Sequence, residues 1–120
     1  MEILVVDDSK TVRVKFKSFL SGKGFIVHEA ESGLEALQVL RSFESIKLVI
    51  SDLNMPGMDG MTFISLAKQE GMVVDIPIIV YSTELSKDLK KEAQENGVSA
   101  CIPKPFDQEK VLQVIMNLLS

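Results

Sequence analysis

Five short runs of Val, Ile and Leu recur along the chain, each separated from the next by a longer segment of mixed polarity. This alternation is typical of an α/β domain in which helices connect the strands of a parallel sheet. The first, third and fourth runs are apolar throughout, as expected for strands covered by helices on both faces, whereas the second is more polar and suits an edge. The predicted strands are residues 2–6, 25–29, 47–51, 76–82 and 99–102.

The segments between these runs carry apolar residues at helical spacing and predict five helices. The first segment is ambiguous, because residues 12–16 alternate in polarity like a strand, whereas Val12, Phe16 and Leu20 fit one face of a helix. The length of the segment and the stop provided by Gly22 favour a helix. The predicted helices are residues 9–21, 33–42, 60–70, 85–96 and 106–119.

The helix predicted at residues 85–96 offers few apolar side chains to a core. Leu85, Leu89 and Ala93 stand among charged residues in this segment. A helix with few buried contacts shifts more easily than its neighbours, so we expect this helix to be a moving part of the domain.

The size and charge of the chain restrict its organisation and its partners. Its 120 residues are 46% hydrophobic, which suits one domain over residues 1–120 with no output domain. The net charge of −4 offers no basic surface, so we expect no nucleic-acid partner. No apolar run approaches the roughly 18 residues of a membrane span, so we expect no membrane partner. The single cysteine, Cys101, excludes an internal disulfide and fits a reducing compartment, so the expected localisation is cytoplasmic.

Polar side chains follow four of the five predicted strands. Asp7 and Asp8 follow the first strand, Asp52 the third, Ser82 closes the fourth and Lys104 follows the fifth. In doubly wound sheets, chemistry gathers at the carboxyl ends of the strands near the point where strand order reverses. If these strands are neighbours, three carboxylates converge where a cation could bind.

Four motifs in this order give the chain a specific resemblance, namely "VVDDS", "SDLNMPGMDG", "YST" and "PKPF". Together they resemble a receiver domain of bacterial two-component signalling, of the single-domain CheY-like type. The resemblance covers the whole chain and implies a doubly wound, flavodoxin-like fold with five helices and a five-stranded parallel sheet in the order 2-1-3-4-5. It also implies a cis bond between Lys104 and Pro105.

The resemblance assigns chemical roles to the residues at the strand ends. Asp52 would be the phospho-acceptor, and Lys104 would neutralise charge on the transferring phosphoryl group. The cofactor would be Mg²⁺, with Mn²⁺ as an alternative, bound directly by Asp8, Asp52 and the backbone carbonyl of Asn54 and through water by Asp7. Two carboxylates about 4 Å apart repel by roughly 4 kcal/mol at an effective dielectric near 20, so three of them require a compensating cation.

The same resemblance predicts how the signal leaves the site. Ser82 would turn toward the new phosphoryl oxygens and draw the following loop inward. Asn54 and Glu84 match positions that tune the lifetime of the phosphoryl group. Cys101 stands where the family usually has an aromatic switch residue, and Thr83 stands where a smaller residue is usual, so the ordinary aromatic switch is in question.

We expect a stand-alone response regulator, in chemotaxis or a related pathway, that accepts phosphate on Asp52 from a histidine kinase or histidine phosphotransfer protein. It would signal to a protein target, such as a flagellar motor component or a relay protein, and a phosphatase could reset it. The alternatives are a phosphorelay intermediate, a phosphate sink, or a constitutive docking module with a vestigial acidic site. A true phosphatase is disfavoured, because Asn54 stands where such enzymes need a second acid; we therefore expect no enzyme activity beyond self-catalysed phosphoryl acceptance and hydrolysis.

Overall fold

Five parallel strands form one sheet in the computed structural model, which describes residues 1–120. In chain order, β1 to β5 are Glu2–Val6, Ile26–Ala30, Ile46–Asp52, Ile78–Ser82 and Ala100–Pro103. Their order across the sheet is β2-β1-β3-β4-β5 with every neighbouring pair parallel, which confirms the expected topology and places the polar second strand at an edge. The strand order reverses between β1 and β3, where sites of doubly wound sheets form.

Five helices, α1 to α5, connect the strands and close the chain, and their bounds are Lys10–Ser21, Gly33–Ser42, Gly60–Gln69, Lys87–Glu95 and Gln108–Leu119. The ambiguous first segment is thus a helix. The first, fourth and fifth helices begin one or two residues later than predicted, because the preceding Ser9, Ser86 and Asp107 are extended caps whose side chains accept backbone N–H bonds. None of the five helices has both the length and the apolar character that crossing a membrane requires.

Four of the five strands differ from their predicted ranges: β5 lies one residue later at both ends, and the other three differ for local reasons. β4 begins at Ile78 instead of residue 76, since Pro77 has no N–H to donate to the sheet. β2 begins one residue late, because the Phe25 N–H donates to the carbonyl of Leu20 at the end of α1. β3 extends one residue further than predicted at each end, so Asp52 is its last residue and does not follow it.

The side chains of the strands alternate between two hydrophobic cores, one on each face of the sheet. In β4, Ile78 and Val80 face the core shared with α2, α3 and α4, whereas Ile79 and Tyr81 face the core shared with α1 and α5. The apolar residues of β1 and β3 are likewise divided between the two cores, which explains why these runs contain consecutive apolar residues. The alternation also directs adjacent residues at the end of a strand toward opposite layers.

Helix α4 has the weak anchoring that its sequence predicts. Ala93 is its only buried residue, and Leu89 is half-buried against the same core. The other four helices each bury at least two residues. Displacement of α4 therefore disturbs less packing than displacement of any other helix.

Replacement of Gly60 should destabilise the fold, because a Cβ atom there would lie 2.3 Å from the Asp52 carbonyl oxygen and 2.8 Å from the Cα atom of Leu53. We expect Gly60→Ala to lower the free energy of unfolding by about 1–3 kcal/mol, as is typical of overpacked sites. Urea denaturation of both chains measures this. Gly22→Ala is the matched control, since its Cβ atom would meet only Ser18 and Phe19 carbonyls at 3.4 Å and 3.5 Å with ordinary φ. Equal stability of the two variants would contradict the prediction.

Candidate functional site

Three carboxylates meet at the carboxyl edge of the sheet. Because Val6 of β1 pairs with Ser51 of β3, the next residues, Asp7 and Asp52, lie side by side. One carboxylate oxygen from each of Asp7, Asp8 and Asp52 lies within 4.8 Å of the other two. Asp7 and Asp52 are buried, whereas Asp8 is exposed, so the cluster opens toward solvent on one side only.

Lys104 brings a positive charge to the two buried carboxylates. Its Nζ lies 3.2 Å from Asp52 Oδ1 and 3.4 Å from Asp7 Oδ2. Its backbone N–H donates to the Ser82 carbonyl at 2.9 Å, which attaches the loop after β5 to the end of β4. The Lys104–Pro105 peptide bond is cis, as the resemblance implies.

The surroundings of the Asp52 carboxylate disfavour its charged form. Burial raises the pKa of Asp52, and the nearby charge of Asp7 raises it further. The backbone N–H of Asn54, 3.2 Å from Asp52 Oδ1, and the Lys104 ammonium oppose this effect only in part. A further cation would therefore be favourable beside Asp52.

Tyr81 contacts the cluster from the core on the α1 and α5 face of the sheet, a contact that the sequence does not predict. Its buried hydroxyl donates to Asp7 Oδ2 at 2.5 Å, and its ring centroid lies 4.8 Å from Lys104 Nζ. Burial and the adjacent Asp7 carboxylate raise the pKa of Tyr81 far above its ordinary value, so the phenol is a neutral donor. The available signal was a phenol in an otherwise apolar strand, since a buried tyrosine hydroxyl needs a partner.

Ser82 points to the opposite face of β4 from Tyr81 and is also buried. Its Oγ accepts from Asn54 Nδ2 at 3.3 Å and from the Glu84 backbone N–H at 3.1 Å. Asn54 therefore contacts both Asp52 and Ser82, while the side chain of Glu84 is exposed. Thr83, between them, is exposed as well.

Cys101 lies half-buried in β5 beside Val80 of β4 and packs against the core shared with α4. Burial raises the pKa of the Cys101 thiol, an effect that the nearby Lys90 opposes. The thiol makes no hydrogen bond to Ser82 or Asp52. An aromatic ring is therefore absent from the position at which the resemblance implies one.

Arg13 holds the backbone of Asp7 in place, a role that the sequence does not predict. Its Nη1 donates to the Asp7 carbonyl at 2.7 Å, and its Nε donates to Glu29 at 3.2 Å. This joins the β1–α1 loop to the end of β2. The Asp7 backbone is therefore held independently of its carboxylate.

The donor set fits a hard divalent cation such as Mg²⁺, which prefers oxygen ligands and retains several waters. Both oxygens of Asp7 already accept hydrogen bonds, Oδ1 from the Ser9 N–H at 2.8 Å, so contact through water suits Asp7. Asp8 is exposed, Asp52 Oδ2 accepts no hydrogen bond, and neither does the Asn54 carbonyl. The carboxylates of Asp8 and Asp52 and the Asn54 carbonyl can thus bind an ion directly.

Comparisons with known proteins agree on one family. Residues 3–116 match the family model described as the response regulator receiver domain. The chain is 38% identical to a chemotaxis protein CheY homolog of Campylobacter jejuni, over 99% of this chain and 92% of that protein. It is 40% identical to chemotaxis protein CheY1 of Helicobacter pylori, over 98% of each chain. The solved structure of chemotaxis protein CheY4 of Vibrio cholerae superposes with a TM-score of 0.92 at 31% identity, over 98% of this chain and 97% of that one.

Removal of the Asp52 charge should stabilise the metal-free protein at neutral pH. The folded state holds the Asp52 proton more tightly than the unfolded state, so stability is lost as pH rises from the ordinary value of 3.8 through the raised pKa. We expect Asp52→Asn to raise the free energy of unfolding at pH 7 in EDTA, and the gain to vanish below the ordinary pKa. Urea denaturation across this pH range measures it.

Asp59→Asn is the control for that series, because Asp59 is exposed, lies outside the acidic cluster and caps α3, where asparagine is an equivalent cap. Its stability should follow that of the unmodified chain. An Asp52→Asn protein that is less stable than the unmodified chain at pH 7 in EDTA would contradict the prediction.

Proposed function

The chain belongs to the response regulator receiver domain family, and from this we propose that it is a single-domain phospho-switch that accepts a phosphoryl group on Asp52. The observation that carries the proposal is the environment of the Asp52 carboxylate. Its Oδ1 is held by Lys104 and by the Asn54 N–H, whereas its Oδ2 accepts no hydrogen bond. A buried carboxylate with one oxygen held and one free is oriented for nucleophilic attack.

The donor in this proposal is a phosphohistidine on a histidine kinase or histidine phosphotransfer protein. A bond forms from the Asp52 oxygen to phosphorus while the P–N bond of the donor breaks, and the electron pair returns to the imidazole nitrogen. Lys104 then stabilises charge on the phosphoryl oxygens instead of the charge of Asp52. A bound Mg²⁺, held by Asp8, Asp52 and the Asn54 carbonyl, would supply further neutralisation of the transferring charge.

Ser82 is suited to report on the new phosphoryl group. The Asn54 amide and the Glu84 N–H both donate to Ser82 Oγ. The hydroxyl proton of Ser82 is therefore available to donate to another acceptor. Phosphoryl oxygens on Asp52 would be strong acceptors for this proton. Movement of Ser82 would pull residues 83–86 and the weakly anchored α4, with no aromatic ring at Cys101 to move in step.

We infer that the signal passes to a protein target in the cytoplasm, in chemotaxis or a related pathway. The relatives of similar length are chemotaxis proteins, and the chain covers nearly all of each. The target would recognise the face formed by α4, β5 and α5, where the expected movement occurs. Turnover of external phosphoesters is not part of the proposal, because Asn54 and not an acid follows the nucleophile by two residues.

Phosphoryl acceptance can be tested by intact-mass analysis after incubation with acetyl phosphate and Mg²⁺. We expect a single phosphoryl adduct on the unmodified chain, and none in EDTA or with Asp52→Asn. Asp59→Asn is the matched control, because Asp59 only caps α3, where asparagine is an equivalent cap, and this variant should accept phosphate normally. Absence of an adduct on the unmodified chain, or an undiminished adduct on Asp52→Asn, would contradict the proposal.

Loss of the Ser82 hydroxyl should separate phosphorylation from signalling. We expect Ser82→Ala to accept phosphate on Asp52 but to lose the change in hydrogen–deuterium exchange over residues 83–95 that phosphorylation causes in the unmodified chain. Thr83→Ala removes a neighbouring exposed hydroxyl and should retain that change. The same exchange response in Ser82→Ala as in the unmodified chain would rule out the proposed role of Ser82.

A further inference from the structure

Tyr81 lies at the acidic cluster, yet the phosphoryl chemistry proposed above makes no use of it. The side chain is 1% exposed, and its hydroxyl donates to Asp7 Oδ2. Burying a hydroxyl without an acceptor is unfavourable, and the Asp7 carboxylate is the nearer of the two acceptors that satisfy this one, the other being the Val6 carbonyl at 3.5 Å. The two residues are 74 positions apart in sequence, and the bond joins the end of β4 to the end of β1.

The Asp7 carboxylate accepts from three donors, and Tyr81 is the one side-chain donor among them that does not also contact Asp52; its hydroxyl has the Val6 carbonyl, at 3.5 Å, as a second and longer acceptor. Ser9 donates through its backbone N–H to Oδ1, and Lys104 is shared with Asp52. Lys104 would be drawn toward a phosphoryl group on Asp52 during the reaction. The Tyr81 hydroxyl would then be the remaining side-chain donor that fixes Asp7 Oδ2.

The packing of the Tyr81 ring prevents its hydroxyl from moving freely. The ring is tilted against Phe16 with centroids 5.3 Å apart, and Phe16 in turn stacks on Phe106 at 4.2 Å. Lys104 also contacts the ring, with its Nζ 4.8 Å from the Tyr81 centroid. A ring held by aromatic neighbours places its hydroxyl, and through it the Asp7 carboxylate, in one position.

We propose that Tyr81 is a positioning residue of the acidic site, whose hydroxyl fixes the Asp7 carboxylate in the orientation in which the cluster binds a divalent cation. Groups that hydrogen-bond to a metal-binding carboxylate set its orientation, and their loss typically weakens metal binding. The inference rests on the proposed function of the cluster and adds to it a residue on the α1 and α5 side of the sheet.

The test is Tyr81→Phe, which keeps the ring and removes only the hydroxyl. Isothermal titration calorimetry with Mg²⁺ should show a dissociation constant raised by about tenfold. The phosphorylation rate at saturating Mg²⁺ should change much less than this affinity, because Asp52 and Lys104 are untouched. If the Tyr81 hydroxyl had only a structural role, its loss would not weaken Mg²⁺ binding while leaving the phosphorylation rate at saturating Mg²⁺ nearly unchanged.

Ser99→Ala is the matched control, because the Ser99 hydroxyl accepts from the Ile78 N–H at the other end of β4. Like Tyr81→Phe, this variant removes one hydrogen bond between a hydroxyl and a neighbouring strand, here at the start of β4. It should leave Mg²⁺ affinity unchanged. An unchanged affinity in Tyr81→Phe would overturn the inference while leaving phosphorylation of Asp52 standing. An unmodified chain that neither binds Mg²⁺ nor accepts phosphate would overturn both.

A second readout uses the unmodified chain and does not depend on any variant folding. The sequence contains one tyrosine and no tryptophan, so its near-ultraviolet emission reports on Tyr81. A cation that draws charge from Asp7 weakens its hydrogen bond with the phenol, and the emission should change with the same midpoint as the calorimetric titration. The change should reverse with EDTA and be absent with NaCl of equal ionic strength. An emission that Mg²⁺ leaves unaltered would overturn the inference.

Discussion

The burial of two carboxylates side by side is the constraint on which the rest of this site depends. Parallel pairing of β1 with β3 places Asp7 beside Asp52, and at about 4 Å such a pair repels by roughly 4 kcal/mol at an effective dielectric near 20. Each neighbouring hydrogen-bond donor offsets part of this repulsion. Lys104 lies between the two carboxylates, backbone N–H groups of Ser9 and Asn54 each donate to one, and Tyr81 donates from the core. The charge that these donors leave uncompensated makes the cluster attractive to a cation.

Much of this arrangement could be predicted from sequence, because the relevant signals are local. Apolar runs identify buried strands, and polar residues at their ends identify the edge at which a site forms. The errors are local too: the predicted helix includes Ser86 because its apolar pattern begins at Leu85, before the cap, and the predicted strand includes Pro77 although proline cannot donate to the sheet. The strand order came from the resemblance and could not have been derived from the alternation of strands and helices alone.

The contributions of Tyr81 and Arg13 could not be predicted, since each depends on a partner brought close only by folding. Tyr81 lies in a strand that reads as uniformly buried, and its acceptor is on the far side of β3 in strand order. Arg13 belongs to a series of basic residues on α1 that resembles an ordinary solvated face, yet it reaches the Asp7 carbonyl. In both cases the sequence shows the chemical group, and only the topology shows what the group contacts.

The single buried residue of α4 has a consequence for signalling fidelity. A helix with one buried residue loses little packing when it shifts, and a displaced state within a few kcal/mol would hold about 0.1–10% of the molecules. Under the proposed switch, a fraction of the unphosphorylated molecules would therefore resemble the signalling form at any moment. This fraction sets a background output that phosphorylation must exceed. The dynamic range available to a downstream target is then limited by the packing of one helix as well as by the chemistry of Asp52.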